Sequence, residues 1–334
     1  MKYKFTMKNI QSVTFDIGLK NWKINEAFTH VLPRGVRYSS FTQVGHIAQM
    51  NLHNDTLPYK YAIADILLEY LRPWIRTVLL KTSEISNEFR FFDYEVLAGA
   101  ADEMECCIRH LNCTFHFDFS KVYWNTRLVS EHTRVVNSLT IDDFLFDACA
   151  GVGPFAIPAS RQGVNVYAND LNPECVKWLE KNADVNPPKK GGIIKISNLD
   201  ASLFISQTIP KIIEDCEYHD NRLFRIVMNL PDKALEFLES FRPVFERLSP
   251  HSITLSIYIY CFSKNDNLNA KNIDYSRTVM EQFSVVKTLN SREVRDVAPN
   301  KKMFCIEILA SPLPNALHSK VSNEESIAKK LKIK

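Results

Sequence analysis

Short runs of β-branched and aromatic residues alternate with helical stretches through the second half of the chain. This alternation limits the fold more than any other feature of the sequence. The strand-like runs are 144–148, 164–168, 193–196, 225–228, 253–261 and 303–309. The stretches 154–162, 173–183 and 232–241 between them have helical periodicity. Strands that alternate with helices predict an α/β fold with a mostly parallel, doubly wound sheet.

The residues before this alternation predict an N-terminal α+β extension. A helix is expected over 61–81, bent or interrupted at Pro73 because proline removes a helical hydrogen bond. Antiparallel strands are expected over 88–124, where alternation of apolar and polar residues places one face in a core. The expected segments are an N-terminal region at 1–85, an antiparallel β segment at 86–125, an α/β core at 126–315 and a basic, disordered tail at 316–334.

Composition limits the class of protein. The chain has 334 residues, of which 46% are hydrophobic and 24% charged, so it can bury a large core. No stretch approaches the roughly 18 uncharged apolar residues of a membrane span, and we expect no membrane association. The eight cysteines form no CxxC pair, which argues against a disulfide framework and a metal site. The net charge of +3 means that a nucleic-acid partner needs a local positive surface.

The N-terminus carries a weak targeting signal. Lys2, Lys4 and Lys8 precede the first acidic residue, Asp16, but the enrichment in arginine and serine that is typical of transit peptides is missing. We expect a cytoplasmic protein, with the mitochondrial matrix and the nucleus as alternatives.

The turn after the first strand of the alternation indicates the kind of cofactor. A dinucleotide fingerprint has the pattern GxGxxG, whose glycines let the backbone approach a pyrophosphate. Here Gly151 and Gly153 are present, Ala156 replaces the third glycine, and Pro154 enters the first helical turn. Such a turn can pass close to a ligand but is poorly suited to two phosphates. S-adenosylmethionine has none.

Three aspartates lie at the ends of three successive predicted strands. Asp147 and the amides near Gly151 fit the zwitterionic end and the cationic sulfur of S-adenosylmethionine. Asp170 fits its ribose hydroxyls, and Asp200 fits its adenine edge. The alternative is that the glycines close a tight turn and the aspartates cap helices. The presence of all three aspartates in this order at one sheet edge favours a methyl-donor site.

The fourth strand ends in Asn229-Leu230-Pro231. An amide side chain and rigid backbone carbonyls at this place provide acceptors for the N–H bonds of a planar nitrogen nucleophile. The predicted methyl acceptor is therefore a ring or exocyclic nitrogen. A simple helix start with an asparagine cap and an early proline is an equally weighted alternative.

A lactam nitrogen such as guanine N1 is protonated at neutral pH, so its methylation needs a general base. Glu131, on a helix expected over 127–139, is a candidate base, and Tyr123 is a candidate stacking surface. The alternative is a salt-bridge ladder of Arg127, Glu131 and Arg134 at helical spacing. Spacing alone favours the ladder.

Seven stretches together resemble the archaeal and eukaryotic tRNA (guanine-N1)-methyltransferases, which act on guanosine 37, 3′ of the anticodon. The resemblance covers about residues 45 to 310. The stretches are FRFFDYEVLAG (89–99), FDFSKVYWNTRLVSEHTRV (117–135), FDACAGVGPFAIPA (146–159), YANDLNPECVKWL (167–179), VMNLPDKALEFLESF (227–241), IYCFSK (259–264) and VRDVAPNKKMFCIEI (294–308).

This resemblance implies a class I (Rossmann-like) methyltransferase fold, S-adenosylmethionine as donor and the tRNA anticodon loop as acceptor. We expect a monomer without an obligate protein partner. By position, Glu131 matches the family's general base, and with this match we favour the base over the ladder. Arg90 matches the arginine that stabilises charge on guanine O6. The expected donor-binding residues are His132, Asp147, Gly151, Gly153, Asp170, Leu171, Asp200, Ala201 and Asn229, and the expected substrate contacts are Tyr123, Arg127 and Pro231, with Asn229 also in the catalytic set.

The sequence departs from the family at two places and leaves alternatives open. Thr126 stands where the family usually has proline, and 1–85 is expected to be a shortened tRNA-recognition part. The alternatives are an RNA-binding protein with this fold but no turnover, and a methyltransferase for another RNA base. A cytosine-C5 enzyme needs a cysteine after the fourth strand, and 227–241 contains none. Ala156 argues against a dehydrogenase.

Overall fold

The computed structural model describes residues 21–38, 40–82, 93–189, 191–216, 223–248 and 253–313. These residues form two compact units. The first ends at Met104 and the second begins at Glu105. The targeting signal, Arg90 and the basic tail lie outside the described residues.

In its described residues, the first unit is a four-stranded sheet with two α-helices. Its sheet has the order β1-β2-β3-β4, parallel between β2 and β3 and otherwise antiparallel. One apolar cluster joins the buried residues of α2, among them Ile63 and Leu67, to Val78 and Leu80 of the sheet. The elements are α1 (Ile24–Val31), β1 (Phe41–Val44), β2 (Ile47–Met50), α2 (Lys60–Leu71), β3 (Thr77–Lys81) and β4 (Tyr94–Gly99).

Two expectations for this unit differ from the structure. The helix expected over 61–81 is wrong in its second half, because α2 ends at Leu71 and the buried strand β3 follows. Proline disfavours helix at the residue before it, so the chain leaves the helix ahead of Pro73. The expected division at residue 85 also differs, since β4 pairs with β3 and lies in the first unit.

The second unit begins with a hairpin and continues as the α/β core. Its helices and strands are β5 (Glu105–His110), β6 (Cys113–Asp118), α3 (Val129–Asn137), β7 (Phe144–Asp147), α4 (Ala156–Arg161), β8 (Asn165–Asn169), α5 (Pro173–Val185), β9 (Ile194–Ser197), α6 (Ala201–Leu203), α7 (Ile209–Glu214), β10 (Phe224–Met228), α8 (Arg242–Leu248), β11 (Leu255–Ser263), α9 (Asp266–Met280), β12 (Ser284–Ala298) and β13 (Lys301–Pro312). Short 3₁₀ turns cover Thr126–Leu128 and Glu236–Phe241, and a π-helical turn covers Phe204–Thr208.

The core sheet has seven strands in the order β12-β13-β11-β10-β7-β8-β9. The five strands β7 to β11 are parallel, and β13 and β12 add an antiparallel edge. The predicted α/β fold with a mostly parallel, doubly wound sheet is confirmed. Strand β12 and helix α9 were not predicted. Since β12 is an exposed edge strand with three bulges, its alternation of apolar and polar residues is broken.

The two faces of this sheet differ in chemistry, and the difference positions the candidate site. Along β11, Ile257, Ile259 and Cys261 join the large apolar cluster formed with α7, α8 and α9. Tyr260 alternates with them and contacts Glu131 of α3 on the opposite face. Buried polar and charged groups therefore collect between α3 and the sheet.

Three further properties concern the described part of the chain. None of its helices is both long and apolar enough to cross a membrane. It contains no group of three or more His, Cys, Asp or Glu side chains placed to hold a metal ion. All eight cysteines are free thiols.

Candidate active site

Four polar residues lie at the carboxyl ends of adjacent parallel strands. Asp147 ends β7, Asp170 follows β8, Asp200 follows β9, and Asn229 follows β10. These strands are neighbours in the order β10-β7-β8-β9, and Asp147 is level with Val227 and Ala168. Ligands of open α/β sheets bind outside such strand ends. The structure thus brings Asp147, Asp170, Asp200 and Asn229 to one sheet edge.

Asn169 links these strand ends through hydrogen bonds. The sequence did not predict this role. Its amide nitrogen donates to Ala148 O at 3.2 Å and to Leu199 O at 2.9 Å. Its amide oxygen accepts hydrogen bonds from Leu199 N and Ser197 Oγ, both at 2.9 Å. Only its position beside Asp170 could have indicated it, because these partners belong to other strands.

The two glycines of the turn have different structural roles. Gly151 has φ +55°, and a Cβ added there would meet nothing within 4 Å. Gly153 has φ +97°, and a Cβ there would lie 2.5 Å from Leu179 Cδ1. Gly151 therefore borders open space, whereas Gly153 permits close packing of the turn against α5. The Gly151 amide donates to Asp170 Oδ2 at 2.7 Å.

The carboxyl groups of Asp147 and Asp170 have no cationic partner among the described residues. Asp147 is fully buried, and neither of its oxygens has a well-formed hydrogen bond to a described residue. Burial and the neighbouring Asp170 charge raise the pKa of Asp147 to about 8, against a smaller lowering by the Cys149 amide. Burial also raises the pKa of Asp170, although the amides of Asn172 and Gly151 oppose it. A cationic ligand at this edge would relieve both carboxylates.

His132 forms a buried imidazole pair with His110, which sequence reasoning did not identify. His132 Nδ1 lies 3.0 Å from His110 Nε2. Burial, and then the neighbouring His110, lower the pKa of His132 to about 3, so His132 is neutral at pH 7. Its Nε2 is buried without a hydrogen-bond partner among the described residues. Its ring packs edge-on against Phe155, just after the glycine turn, with centroids 4.6 Å apart.

The remaining predicted donor contacts lie on the loops after β8 and β9. Leu171 is exposed beside Asp170, and Ala201 is buried as the first residue of α6. Asn198 donates to Asp170 O and Leu171 O at 2.7 and 2.9 Å and fixes the first loop. The carboxylate of Asp200 accepts a 2.8 Å hydrogen bond from Ser202 N. Asp200 therefore caps a helix as well as lying at the sheet edge.

Glu131 is buried in a polar network instead of lying in a surface ladder. Arg134 Nη2 donates to Glu131 Oε1 at 2.7 Å, and Tyr260 Oη donates to the same oxygen at 2.7 Å. Arg292 Nη1 from β12 donates to Oε2 at 2.5 Å. Arg127 forms no hydrogen bond or ion pair with Glu131. Of the expected ladder of three residues, the structure therefore shows one intrahelical pair, Glu131 with Arg134.

The network keeps the Glu131 carboxylate ionised. Burial raises its pKa, but the hydrogen bonds from Arg134 and Tyr260 and the charges of Arg134 and Arg292 outweigh burial and lower it. The Arg292 side chain is 45% exposed, against 2% for Glu131. Arg292 is thus the partner that an incoming group could most easily replace. Arg134 also pairs with Glu307 Oε1 at 2.7 Å.

Glu131 is connected to the end of β10 through Tyr260. Met228 is level with Ile259 in the parallel pair β10 and β11, so Asn229 and Tyr260 are the next residues at the same end. The centroid of the Tyr260 ring also lies 6.0 Å from the centroid of the Phe155 ring, which follows the glycine turn. Sequence reasoning missed Tyr260 and Arg292, because their role depends on the pairing of distant strands.

The predicted substrate contacts lie at the entrance to α3 and after β10. Tyr123 is 37% exposed, and its hydroxyl accepts a 3.0 Å hydrogen bond from Asn125. Arg127 is exposed in the 3₁₀ turn before α3. The Asn229 side chain is half-buried and forms no hydrogen bond within the described ranges, and Pro231 follows it in the turn after β10.

Both units match known protein families. Residues 107–249 match the TRM5/TYW2 methyltransferase domain, and residues 24–103 match the TYW2 N-terminal domain. The boundary between the matches agrees with the boundary between the two units.

The chain is also similar to curated and solved proteins. It is 42% identical over 299 residues to a tRNA (guanine(37)-N(1))-methyltransferase of Xenopus tropicalis, covering 86% of this chain and 58% of that protein. It is 37% identical to the Drosophila pseudoobscura pseudoobscura protein of the same name, covering 91% and 70%. The crystal structure of Trm5b from Pyrococcus abyssi aligns with a TM-score of 0.65 and 24% identity, covering 92% of this chain and 87% of that one.

Two conclusions follow from these similarities. The structural likeness confirms the class I (Rossmann-like) methyltransferase fold with an N-terminal extension that the sequence predicted. The chain spans about three fifths of the length of the Xenopus relative.

Proposed function

The chain belongs to the TRM5/TYW2 methyltransferase family, and on that premise we propose that it transfers the methyl group of S-adenosylmethionine to N1 of guanosine 37 in the tRNA anticodon loop. The observation that carries this proposal is the pair of buried carboxyl groups of Asp147 and Asp170, which have no cationic partner among the described residues and lie beside the open turn at Gly151. The names of the similar proteins support guanosine 37 of tRNA as the acceptor.

The residues at the sheet edge fit S-adenosylmethionine. Asp147 offers buried carboxylate oxygens to a cationic group, and the backbone at Gly151 leaves space beside them. Asp170 would hold the ribose hydroxyls, and the unpartnered Nε2 of His132 offers one more polar contact. When bound, S-adenosylmethionine supplies an electrophilic methyl group on a sulfonium centre.

The remaining residues would orient and deprotonate the purine. A guanine extruded from the loop would place its edge at Asn229 and its face near Tyr123. Glu131 would take the N1 proton, since its lowered pKa keeps it ionised and able to accept a proton at pH 7. Arg134 and Tyr260 fix the carboxylate while the purine replaces Arg292 at Oε2.

The direct test uses labelled methyl donor and tRNA transcripts that carry G or A at position 37. We expect label at N1 of G37 and none in the A37 transcript. Labelling at another base would show a different specificity and contradict the proposal. Calorimetry with S-adenosylmethionine separates an inactive scaffold, which would bind no donor, from an enzyme that needs another RNA.

A further inference from the structure

Arg127 and Arg295, named here the arginine pair, have no acidic partner in the part of the chain that the structure describes. The guanidinium of Arg127 forms no hydrogen bond or ion pair there. Arg295 Nη1 donates to the backbone oxygen of its neighbour Asp296 at 3.0 Å. Arg295 Nε is buried and has no hydrogen-bond partner among the described residues. A buried donor without an acceptor is costly, so an anion bound at this place would stabilise the guanidinium group.

The two guanidinium groups are close enough to affect each other. Burial, and also the positive charge of Arg127, lower the pKa of Arg295, while the nearby phenol of Tyr123 raises it. Two like charges held near each other are unfavourable unless an anion binds between them.

A β-bulge turns Arg295 towards the same side of the sheet as Arg292. In a regular strand, side chains three positions apart point to opposite faces. Here Arg292 is level with Cys305 and Arg295 is level with Met303, with a register shift between Glu293 and Arg295. Since Cys305 and Met303 are two apart on β13, Arg292 and Arg295 share one face. Bulges commonly redirect a side chain beside a functional site.

The arginine pair therefore lies next to the proposed base. Arg292 contacts Glu131, and Arg295 follows three residues later on β12. Arg127 lies in the 3₁₀ turn that leads into α3 and precedes Glu131 by four residues, roughly 6 Å along the axis. The 3₁₀ turn and α3 therefore lie beside the bulged part of β12, with Glu131 bonded to Arg292 and Arg127 close enough to Arg295 for their charges to interact.

We propose that the arginine pair binds a phosphodiester group of the RNA directly beside the target nucleoside. Guanidinium groups match phosphate oxygens in geometry and remain charged. Tyr123, whose ring is partly exposed beside the pair, adds a stacking face for a nucleobase. A phosphate site beside an aromatic face favours nucleic acid over an acidic peptide. This inference rests on the proposed function and adds a contact that selects the position of the RNA backbone.

The first test measures binding of a tRNA transcript without methyl donor, by filter binding over a range of salt concentrations. We expect Arg127→Met and Arg295→Met each to weaken binding about tenfold, since a charge-assisted hydrogen bond contributes about 1.5 kcal/mol or more. The slope of log K against log salt should fall by about 1. The control is Arg277→Met, which removes a charge paired with Glu281 on α9. This control should change the affinity less than twofold.

The second test replaces single anticodon-loop phosphates by neutral methylphosphonates. One replacement next to nucleotide 37 should weaken binding to the wild-type protein about tenfold and have no effect on Arg127→Met, because the two changes remove the same contact. The proposal would be overturned if the methylphosphonate weakened binding equally in the wild-type protein and in Arg127→Met. It would also be overturned if Arg127→Met and Arg295→Met both bound tRNA as tightly as Arg277→Met. If Arg295→Met fails to fold, the exposed Arg127 still gives a decisive result.

These measurements are independent of methyl transfer. A wild-type protein that methylates G37 while the variants bind normally would refute the phosphate site alone. A protein that loses RNA affinity in the variants but never methylates G37 would refute the proposed function and leave the phosphate site standing.

Discussion

The hydroxyl of Tyr260 donates a 2.7 Å hydrogen bond to Glu131 Oε1, between two buried side chains 129 residues apart in sequence. The Tyr260→Phe variant keeps the ring and removes this donor. We expect a loss of about 1–3 kcal/mol in the free energy of unfolding and a slower single-turnover methylation rate, because Glu131 loses one of its orienting groups. Urea titration and single-turnover kinetics measure the two effects. Tyr258→Phe, which removes the acceptor of a 2.8 Å bond from Arg225, should lower stability but leave the rate unchanged.

The proposed base is tested by Glu131→Gln. This change keeps the shape of the side chain and removes its ability to take a proton, so turnover should fall by about 10² or more. Donor affinity, measured by calorimetry, should remain within about twofold of wild type, roughly 0.4 kcal/mol. The control is Glu307→Gln, which changes the other acidic partner of Arg134 and leaves the carboxylate of Glu131 in place. An unchanged rate in Glu131→Gln would reject the assignment.

Arg292 is expected to set the pH range of the free enzyme. Its charge lowers the pKa of Glu131, so Arg292→Met should raise that pKa. Because a base acts only when ionised, the acid limb of kcat/KM should move to higher pH. If the bound purine replaces Arg292, the single-turnover rate of Arg292→Met at saturating enzyme should have the same acid limb as that of the wild-type protein. Lys302→Met, which breaks an exposed pair with Glu293, should shift neither profile, and an unchanged kcat/KM profile in Arg292→Met would contradict the prediction.

Asp147 should make the free energy of unfolding depend on pH. Its pKa is about 8 in the folded protein and about 3.9 when unfolded, so the native state binds a proton that the unfolded state releases. This contribution is complete below pH 4 and disappears as pH rises to 8, by about 1.4 kcal/mol per pH unit. Asp147→Asn removes the dependence. In urea unfolding between pH 5 and 9, the free energy of unfolding of the variant relative to wild type should increase up to pH 8. Parallel curves of the free energy of unfolding against pH would contradict this.

The two glycines of the turn should respond differently to alanine. In Gly151→Ala the new Cβ enters open space at φ +55°, so we expect a cost of about 1–2 kcal/mol from the left-handed backbone and clearly weaker donor binding. In Gly153→Ala the Cβ would meet Leu179 and Ile157 at 2.5 and 2.6 Å. This overpacking adds about 1–3 kcal/mol, so Gly153→Ala should be the less stable variant. Melting temperatures and donor calorimetry compare the two, and equal donor affinities of Gly151→Ala and wild type would show that the ligand lies elsewhere.

The sequence by itself determined the parallel strands of the core sheet and the polar residues at their carboxyl ends. Strand propensity, helical periodicity and glycine turns are local properties, and each βαβ unit is closed within a short stretch of chain. Asp147, Asp170, Asp200 and Asn229 lie at the carboxyl ends of four such strands, so a parallel topology is enough to gather them.

Only the tertiary structure decided the surroundings of Glu131 and the division between the units. Glu131 meets Tyr260 and Arg292 across 129 and 161 residues, and both partners come from strands whose order no local pattern specifies. The bulge that turns Arg295 and the pairing of β4 with β3 arise in the same way. Burial, neighbouring charge and strand register are properties of the assembled chain, because each depends on which distant segments lie side by side.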